Sequence, residues 1–389
     1  MRVMRRPSCR RKRAPDVTAQ PLVIAAVGDL IVDQPEPARF FRDVTAHLRA
    51  ADLAIGHIEV PHSTTTEVTS VDVPAPPADP RHLAAVADAG FGVVTLAGNH
   101  IYDSGATGIA DTIAAAARVG MVTAGAGADL PAAKRPAVRE IAGRRVGVVS
   151  YNCVGPRESW ATSRKAGCAA VDVLTHYEMR NANPGGPPRV RTFCDPASLQ
   201  AFRDDIAAVA AETDVLVVAL HKGLVHTPAR LADYETEIAH AAIDAGAHAV
   251  IGHHAHIGRG VELYRQRPIF HGLGNFVTVT DALTPSHDSS EEAAAWAAGR
   301  AEMFGFVPDP AMPAYPFHPE SRHTMIARLT IGDEVAASFV PCWIEDDGRP
   351  VPHGRDARGE QILEYVRSIS ARAGLTTRYD WDGDLIRVH

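Results

Sequence analysis

Short all-apolar runs alternate with amphipathic stretches along this chain, and most of the apolar runs stop on a polar residue. Leu22–Val27 reads as a buried strand ending at Gly28-Asp29, Leu53–Ile58 as one ending at Glu59, and Val93–Leu96 as one ending at Gly98-Asn99-His100. Val146–Ser150 is a further strand, and Val215–Leu220 ends at His221. Ala249-Val250-Ile251 stops at Gly252 and delivers His253, His254 and His256 together. Helical spacing fills the intervals: 36–50, with Phe40, Phe41, Val44 and Leu48 in register; 80–89, stopped by Gly90; then 104–119 and 196–212. The stretch 229–245 places Leu231, Tyr234 and Ile238 on one face, with Gly246 as its C-cap. Strands apolar on both faces imply a sheet covered by helices, an α/β fold in which ligands gather at the carboxyl ends of the strands.

Three segments interrupt the alternation. Residues 61–79 are rich in Thr, Val and Pro, residues 152–195 contain Asn-Pro-Gly-Gly-Pro-Pro, and residues 280–322 are rich in Pro, Ala, Ser and His. They read as long loops or insertions over the strand ends, where such segments are often functional and otherwise filler. After residue 323 the pattern returns to strands (Met325–Ile331, Ala337–Trp343), a helix over 356–371 and a short terminal strand. The organisation expected is a leader over 1–20, one domain over 21–345 with insertions at about 152–195 and 280–322, and a helix and strand over 346–389 packing on it. There is no internal repeat.

Composition narrows the function. The chain has 389 residues, 46% of them hydrophobic, and a formal charge of −7, which gives no reason to expect a nucleic-acid partner. Its five cysteines are scattered and never form Cys-x-x-Cys, which argues against a disulfide framework or a zinc knuckle and fits a reducing, cytoplasmic setting. Arg2, Arg5, Arg6, Arg10, Arg11, Lys12 and Arg13 run into polar sequence instead of the apolar core of a signal peptide. They read as a disordered basic leader, or as residues ahead of the true start. No run approaches the ~20 apolar residues of a transmembrane helix.

The chemistry lies at the strand ends. Asp29, Glu59, Asn99, His100, His221 and the trio His253, His254 and His256 are metal-compatible groups delivered by successive strands, and His271 follows the next apolar run. Imidazoles buried at a strand end are costly unless bound, and a metal is their commonest partner. Mixed oxygen and nitrogen donors suit Mn, Fe or Zn; oxygen donors alone would suit Ca or Mg. Histidine as a residue type titrates near neutrality, so His100 and His271, if they face each other across a substrate, would exchange a Cα proton. His271 alternatively orients a metal ligand. Lys222 reads as a carboxylate-binding residue or as a surface charge, and His253 and Asn275 are further candidate substrate contacts.

These blocks resemble the CapA family, named for poly-γ-glutamate capsule proteins. They are Val27-Gly-Asp29, Ile55-Gly-His-Ile-Glu59, Ala97-Gly-Asn-His-Ile-Tyr-Asp-Ser-Gly105, Thr123-Ala-Gly-Ala-Gly127, Leu220-His-Lys-Gly223, the run from Ala241 to His256 and Leu273-Gly-Asn-Phe276, covering roughly residues 22–278. The resemblance implies a calcineurin-like four-layer α-β-β-α sandwich with a metal centre at the strand C-termini. It further implies a divalent-metal shell of Asp29, Glu59, Asn99, His221, His254 and His256, with His100 as acid–base residue beside it, oriented by Asp103. The chain departs from the pattern at several points. Asp29-Leu30-Ile31 stands where the wider phosphoesterase class has Asp-x-His, and that class's second bridging Asp is absent, with Glu59 near its place, so the two-metal ligand set is incomplete. Within the family pattern, His57-Ile58-Glu59 stands for Asn-x-Glu, His221-Lys222-Gly223 for His-Trp-Gly, and His271-Gly272-Leu273-Gly274-Asn275 for Tyr-Ser-Leu-Gly-Asn.

Four functions fit this sequence. The first, and the one the incomplete two-metal set and extra His271 favour, is a metal-dependent peptide epimerase. It would be similar to a soluble branch of the family acting in lasso-peptide maturation. The others are a metal-dependent hydrolase of phosphoester or amide bonds, a capsule accessory protein acting on poly-γ-glutamate, and a non-enzymatic binder. The expected partner is a peptide or poly-amino-acid substrate; the sequence does not give an oligomeric state.

Overall fold

The computed structural model describes residues 20–70, 76–178, 188–281 and 299–389. The expected leader therefore lies outside the described residues, as do parts of the three interrupting segments.

Two sheets face each other. Strand β1 (Leu22–Val32) is central to a sheet that holds ten strands among the described residues. It pairs in parallel with β2 (Leu53–Ile58), which pairs in parallel with β3 (Phe91–Thr95). The second sheet, of six strands among the described residues, is centred on β4 (Arg144–Asn152), β5 (Val215–Lys222) and β6 (Ala249–His254), all parallel.

Period-2 alternation sorts each strand's residues into layers. Leu22, Ile24 and Ala26 of β1, Leu53 and Ile55 of β2, and Val215, Val217 and Ala219 of β5 share one core between the sheets. Ala25 and Val27 of β1, with Ala54 and Ile58 of β2, pack outward with Phe40, Phe41 and Val86 and with Ile109 of helix α1 (Gly105–Arg118). Leu216, Val218 and Leu220 pack outward with helices α2 (Pro196–Glu212) and α3 (Asp233–Asp244). The order is helix, sheet, sheet, helix, the four-layer sandwich expected. Each buried Leu, Ile or Val contributes about 1.5–3 kcal/mol to holding it.

Several boundaries differ from the sequence reading. The expected helix over 36–50 divides into a 3-10 turn at Pro37–Phe41 and a short helix at Thr45–Arg49. Helix α3 starts at Asp233 instead of 229, because Glu235 turns back to accept a hydrogen bond from the Ala232 amide at 2.8 Å and fixes the first turn there. The insertion at 152–195 contains an antiparallel ribbon, Val173–Glu178 with Arg189–Cys194. The terminal strand is a hairpin, Tyr379–Asp382 and Leu385–Val388, that extends the large sheet.

Two glycines let the sheet ends close. A Cβ on Gly28 would lie 1.9 Å from the Gly274 carbonyl oxygen, and one on Gly252 would lie 2.1 Å from that of His271. Only glycine permits these approaches, and they bring the Asp29 backbone against β7 (Asn275–Val279), with Asp29 and Asn275 in register.

His62 pins the segment after β2 to α1. Its backbone amide donates to Thr112 Oγ1 at 2.7 Å, and its fully buried ring donates from Nδ1 to the Val60 carbonyl at 3.1 Å. Burial pushes this imidazole down to about 4. In the unfolded chain it titrates near 6.5, so below that pH the unfolded state takes up the proton first. The sign follows: stability present above pH 6.5 is lost as pH falls through about 4, by roughly 3 kcal/mol from this residue. Unfolding free energies of the wild type and His62→Gln, measured from pH 7 to 4, should converge by that amount. A constant difference across the range would show that His62 is not buried in its neutral form.

Candidate metal centre

Alternation carries from the core into the site. Leu53 and Ile55 face the other sheet, so His57 does too; Val217 and Ala219 place His221 there, and Ile251 places His253 there. The His57 ring lies 4.8 Å from that of His221 and 4.7 Å from that of His253, a stack of imidazoles between the two sheets.

Glu59, 1% exposed, is the hub. Its Oε2 is 3.2 Å from His57 Nε2, and its Oε1 is 3.6 Å from His221 Nε2 and 3.9 Å from His256 Nε2. His221 Nε2 also lies 2.7 Å from Asn99 Oδ1 and 3.1 Å from His254 Nδ1. Four lone-pair atoms thus converge on one side of Glu59: Asn99 Oδ1, His221 Nε2, His254 Nδ1 and Glu59 Oε1. A neutral imidazole offers one N–H, so hydrogen bonds alone cannot satisfy this set. On the other side, His256 Nδ1 is 3.2 Å from Asp29 Oδ2 and 2.9 Å from Asn275 Oδ1.

Both carboxylate oxygens of Asp29, both of Glu59, and His57 Nε2, His221 Nδ1 and His253 Nδ1 are buried with no hydrogen-bond partner of acceptable geometry. Buried carboxylates left this way are costly, and a cation is what relieves them. One ligand atom each of His57, Glu59 and His221 lies within 4.8 Å of the others. The donor set fits a divalent metal of the Mn, Fe or Zn kind. The local charge agrees. Burial alone would raise the Glu59 carboxyl, but the imidazoles of His221, His57 and His256 hold it well below the usual carboxylate range. Burial would lower His256, yet Asp29 and Glu59 push it up to about 8. Burial takes His221 well below its usual value, leaving its lone pair available for a ligand role.

The six residues expected as a metal shell, Asp29, Glu59, Asn99, His221, His254 and His256, are brought together. His100, at the edge of the cluster, directs Nδ1 to Asp103 Oδ2 at 2.7 Å. His57 was not among the expected ligands; its signal was the shared parity of His57 and Glu59 at the end of β2.

Of the remaining candidates, Asn275 and His253 border the cluster and Lys222 and His271 lie away from it. Asn275 is fully buried, donates to Tyr315 Oη at 3.1 Å and accepts from His256, so it holds the His256 ring in place where a substrate contact was expected. His253, expected as a substrate contact, is 1% exposed, donates from Nε2 to the Val27 carbonyl at 3.2 Å and stacks on His57 between the sheets. Lys222 follows His221 on β5 and so points to the opposite face, toward α3. It pairs with Glu235 Oε2 at 3.0 Å. His271 joins that network: its backbone oxygen accepts from Lys222 at 3.2 Å, and its Nε2 meets Glu262 Oε2 at 2.9 Å. Both side chains are fully buried. The expected roles of Lys222 in binding a substrate carboxylate and of His271 in proton transfer are corrected on that ground: a sheet separates them from the cluster.

The sequence model of the family described as Bacterial capsule synthesis protein PGA_cap matches residues 23–280, which contain every candidate ligand. A probable polyglutamine synthesis accessory protein of Mycobacterium tuberculosis is 31% identical over 274 residues, covering 61% of this chain and 66% of that protein. A capsule biosynthesis protein, CapA, of Bacillus anthracis is 26% identical over 270 residues, covering 66% of this chain and 59% of that one. The chain thus spans 66% and 59% of the length of these two relatives. A solved structure, the calcineurin-like phosphoesterase YfkN from Bacillus subtilis, is similar at 13% identity and a TM-score of 0.34, covering 91% of this chain and 98% of that one.

Proposed function

We propose that this chain, which belongs to the bacterial capsule synthesis protein PGA_cap family, is a metal-dependent hydrolase acting on amide bonds of a poly-amino-acid such as polyglutamate. The observation that carries the reading is Glu59, a single buried carboxylate between the Asn99–His221–His254 donors and the Asp29–His256 pair. The names of the relatives supply the substrate class, since they refer to capsule and polyglutamine synthesis.

Asp29, Glu59, Asn99, His221, His254 and His256 would hold the cation, with His57 supporting Glu59. A divalent ion there supplies Lewis-acid polarisation of a carbonyl. His100 carries the proton: Asp103 fixes its Nδ1–H, which assigns Nε2 as the atom that takes or gives a proton at the substrate. Asn275 accepts from His256 Nδ1 and so turns the Nε2 lone pair of that ring toward Glu59.

Cα epimerisation would use the same polarised carbonyl but needs proton transfer on two faces of the substrate. With His271 on the far side of the sheet, the His100–Asp103 dyad is what remains of the pair named for that chemistry. Hydrolysis needs one such group.

The test is to incubate the Mn²⁺- or Zn²⁺-loaded protein with a glutamyl oligomer in D2O and read the products by mass. Shorter oligomers are expected, lost on chelation and slowed about a hundredfold in His100→Ala. A one-dalton gain without cleavage would replace hydrolysis by epimerisation. Turnover of a phosphoester alone would move the substrate class, and inertness toward all of these would leave a binding protein.

A further inference from the structure

His226 was singled out by neither sequence pattern nor family resemblance, and it stands beside the metal cluster. Its ring stacks on that of His256 with centroids 5.7 Å apart and planes at 29°. Phe304 and Phe306 present edges to it at 5.1 and 5.0 Å, and Phe317 lies at 6.1 Å. The residue is 5% exposed. Its backbone sits at φ 51°, a conformation that a non-glycine residue adopts only under constraint. Two constraints are visible. The His226 amide donates to the Ala255 carbonyl at 2.9 Å, next to His256. The buried Arg259 guanidinium donates to the carbonyls of Leu224 and Arg230, on either side of it.

The ring's proton can be placed. Nε2 lies 3.4 Å from Arg300 Nη2, and a guanidinium only donates, so Nε2 accepts. The N–H is then on Nδ1, which is buried without a hydrogen-bond partner among the described residues. A donor held this way beside a metal cluster is complementary to an oxygen acceptor.

We propose that His226 is a substrate-contacting residue whose Nδ1–H receives a carbonyl or carboxylate oxygen of an acyl or peptide chain held at the Asp29–Glu59–His221–His256 site, between the walls of Phe304, Phe306 and Phe317. This rests on the hydrolase reading for the identity of the chain, but not for the hydrogen bond itself.

Two measurements decide it. In ¹⁵N-histidine-labelled, Zn²⁺-loaded protein, the signal missing from His226→Asn identifies the Nδ1–H; titration with acetate, a bare carboxylate, should move that signal downfield. A signal on Nε2, or one unmoved by acetate, overturns the proposal. In turnover of a glutamyl oligomer, His226→Ala should raise KM about tenfold with kcat and metal content unchanged, and His226→Asn should recover part of the loss. An unchanged KM in His226→Ala also overturns it. If the wild type turns over no glutamyl oligomer, the substrate class fails, and the acetate titration still decides the role of His226.

Discussion

Glu59→Gln is expected to abolish metal binding by the protein and, with it, all activity that chelation abolishes. The substitution keeps the volume and removes one negative charge from a centre whose other carboxylate is Asp29. Glu59 faces three imidazoles at 3.2, 3.6 and 3.9 Å, so no other residue can replace it between the two donor groups. Loss of a residue that only orients a ligand costs about 10–100-fold in metal affinity. Loss of the shared carboxylate should cost on the order of 1,000-fold or more, about 4 kcal/mol. The effect has a signature in stability as well as in stoichiometry. A metal that binds only the folded state stabilises it by about 4 kcal/mol at a thousandfold excess over Kd. The wild type should therefore melt several degrees higher with Mn²⁺ or Zn²⁺ than with chelator, and Glu59→Gln should melt at one temperature in both. A variant that still binds metal with wild-type affinity would remove Glu59 from the centre.

The parts of the site that were legible in the sequence are those that strand ends deliver. Apolar runs stopping at Asp29, Glu59, Asn99, His221 and His254 predicted their convergence, because a parallel sheet gathers its carboxyl ends along one edge. Which face each residue takes was not legible. The β5 strand reads Val-Leu-Val-Val-Ala-Leu before His221 and Lys222, and it is buried on both faces. A strand with no polar side carries no contrast by which to tell inward from outward. Lys222 and His271 therefore read in the sequence no differently from cluster residues, although they pack beneath α3. His57 was hidden for the same reason, in a strand whose six residues are all buried. His226 lies on a loop, where no periodicity reports position. Its neighbours Phe304, Phe306 and Phe317 come from an insertion that composition marks only as rich in Pro and Ala. The fold was the more legible part, since layer order depends on alternation that recurs in every strand, whereas the site depends on individual contacts.

Lys222→Met should destabilise the protein by about 4 kcal/mol while leaving metal content at the wild-type level. Lys222 and Glu235 are both fully buried. Burial would raise the Glu235 carboxyl, but Lys222 and Arg259 hold it below the usual carboxylate range. Removing Lys222 leaves that carboxylate with Arg259 at 3.7 Å as its charged partner. Breaking one side of a buried pair in this way costs about 3–5 kcal/mol, mostly as the desolvation of the charge left behind. The loss extends further, because Lys222 also donates to the His271 carbonyl at 3.2 Å, and His271 is tied through Glu262 to His240 at 2.9 and 2.8 Å. Replacing both partners, as in Lys222→Met with Glu235→Gln, should recover a large part of the stability, because the stranded charge is gone. The two roles considered for Lys222 separate cleanly in these data. A substrate-binding lysine would raise KM and leave the unfolding midpoint in place. A structural one lowers the midpoint by several degrees and leaves KM unchanged at temperatures where the variant is folded. A wild-type midpoint in Lys222→Met would return Lys222 to the substrate and place the β5 strand's polar face the other way round.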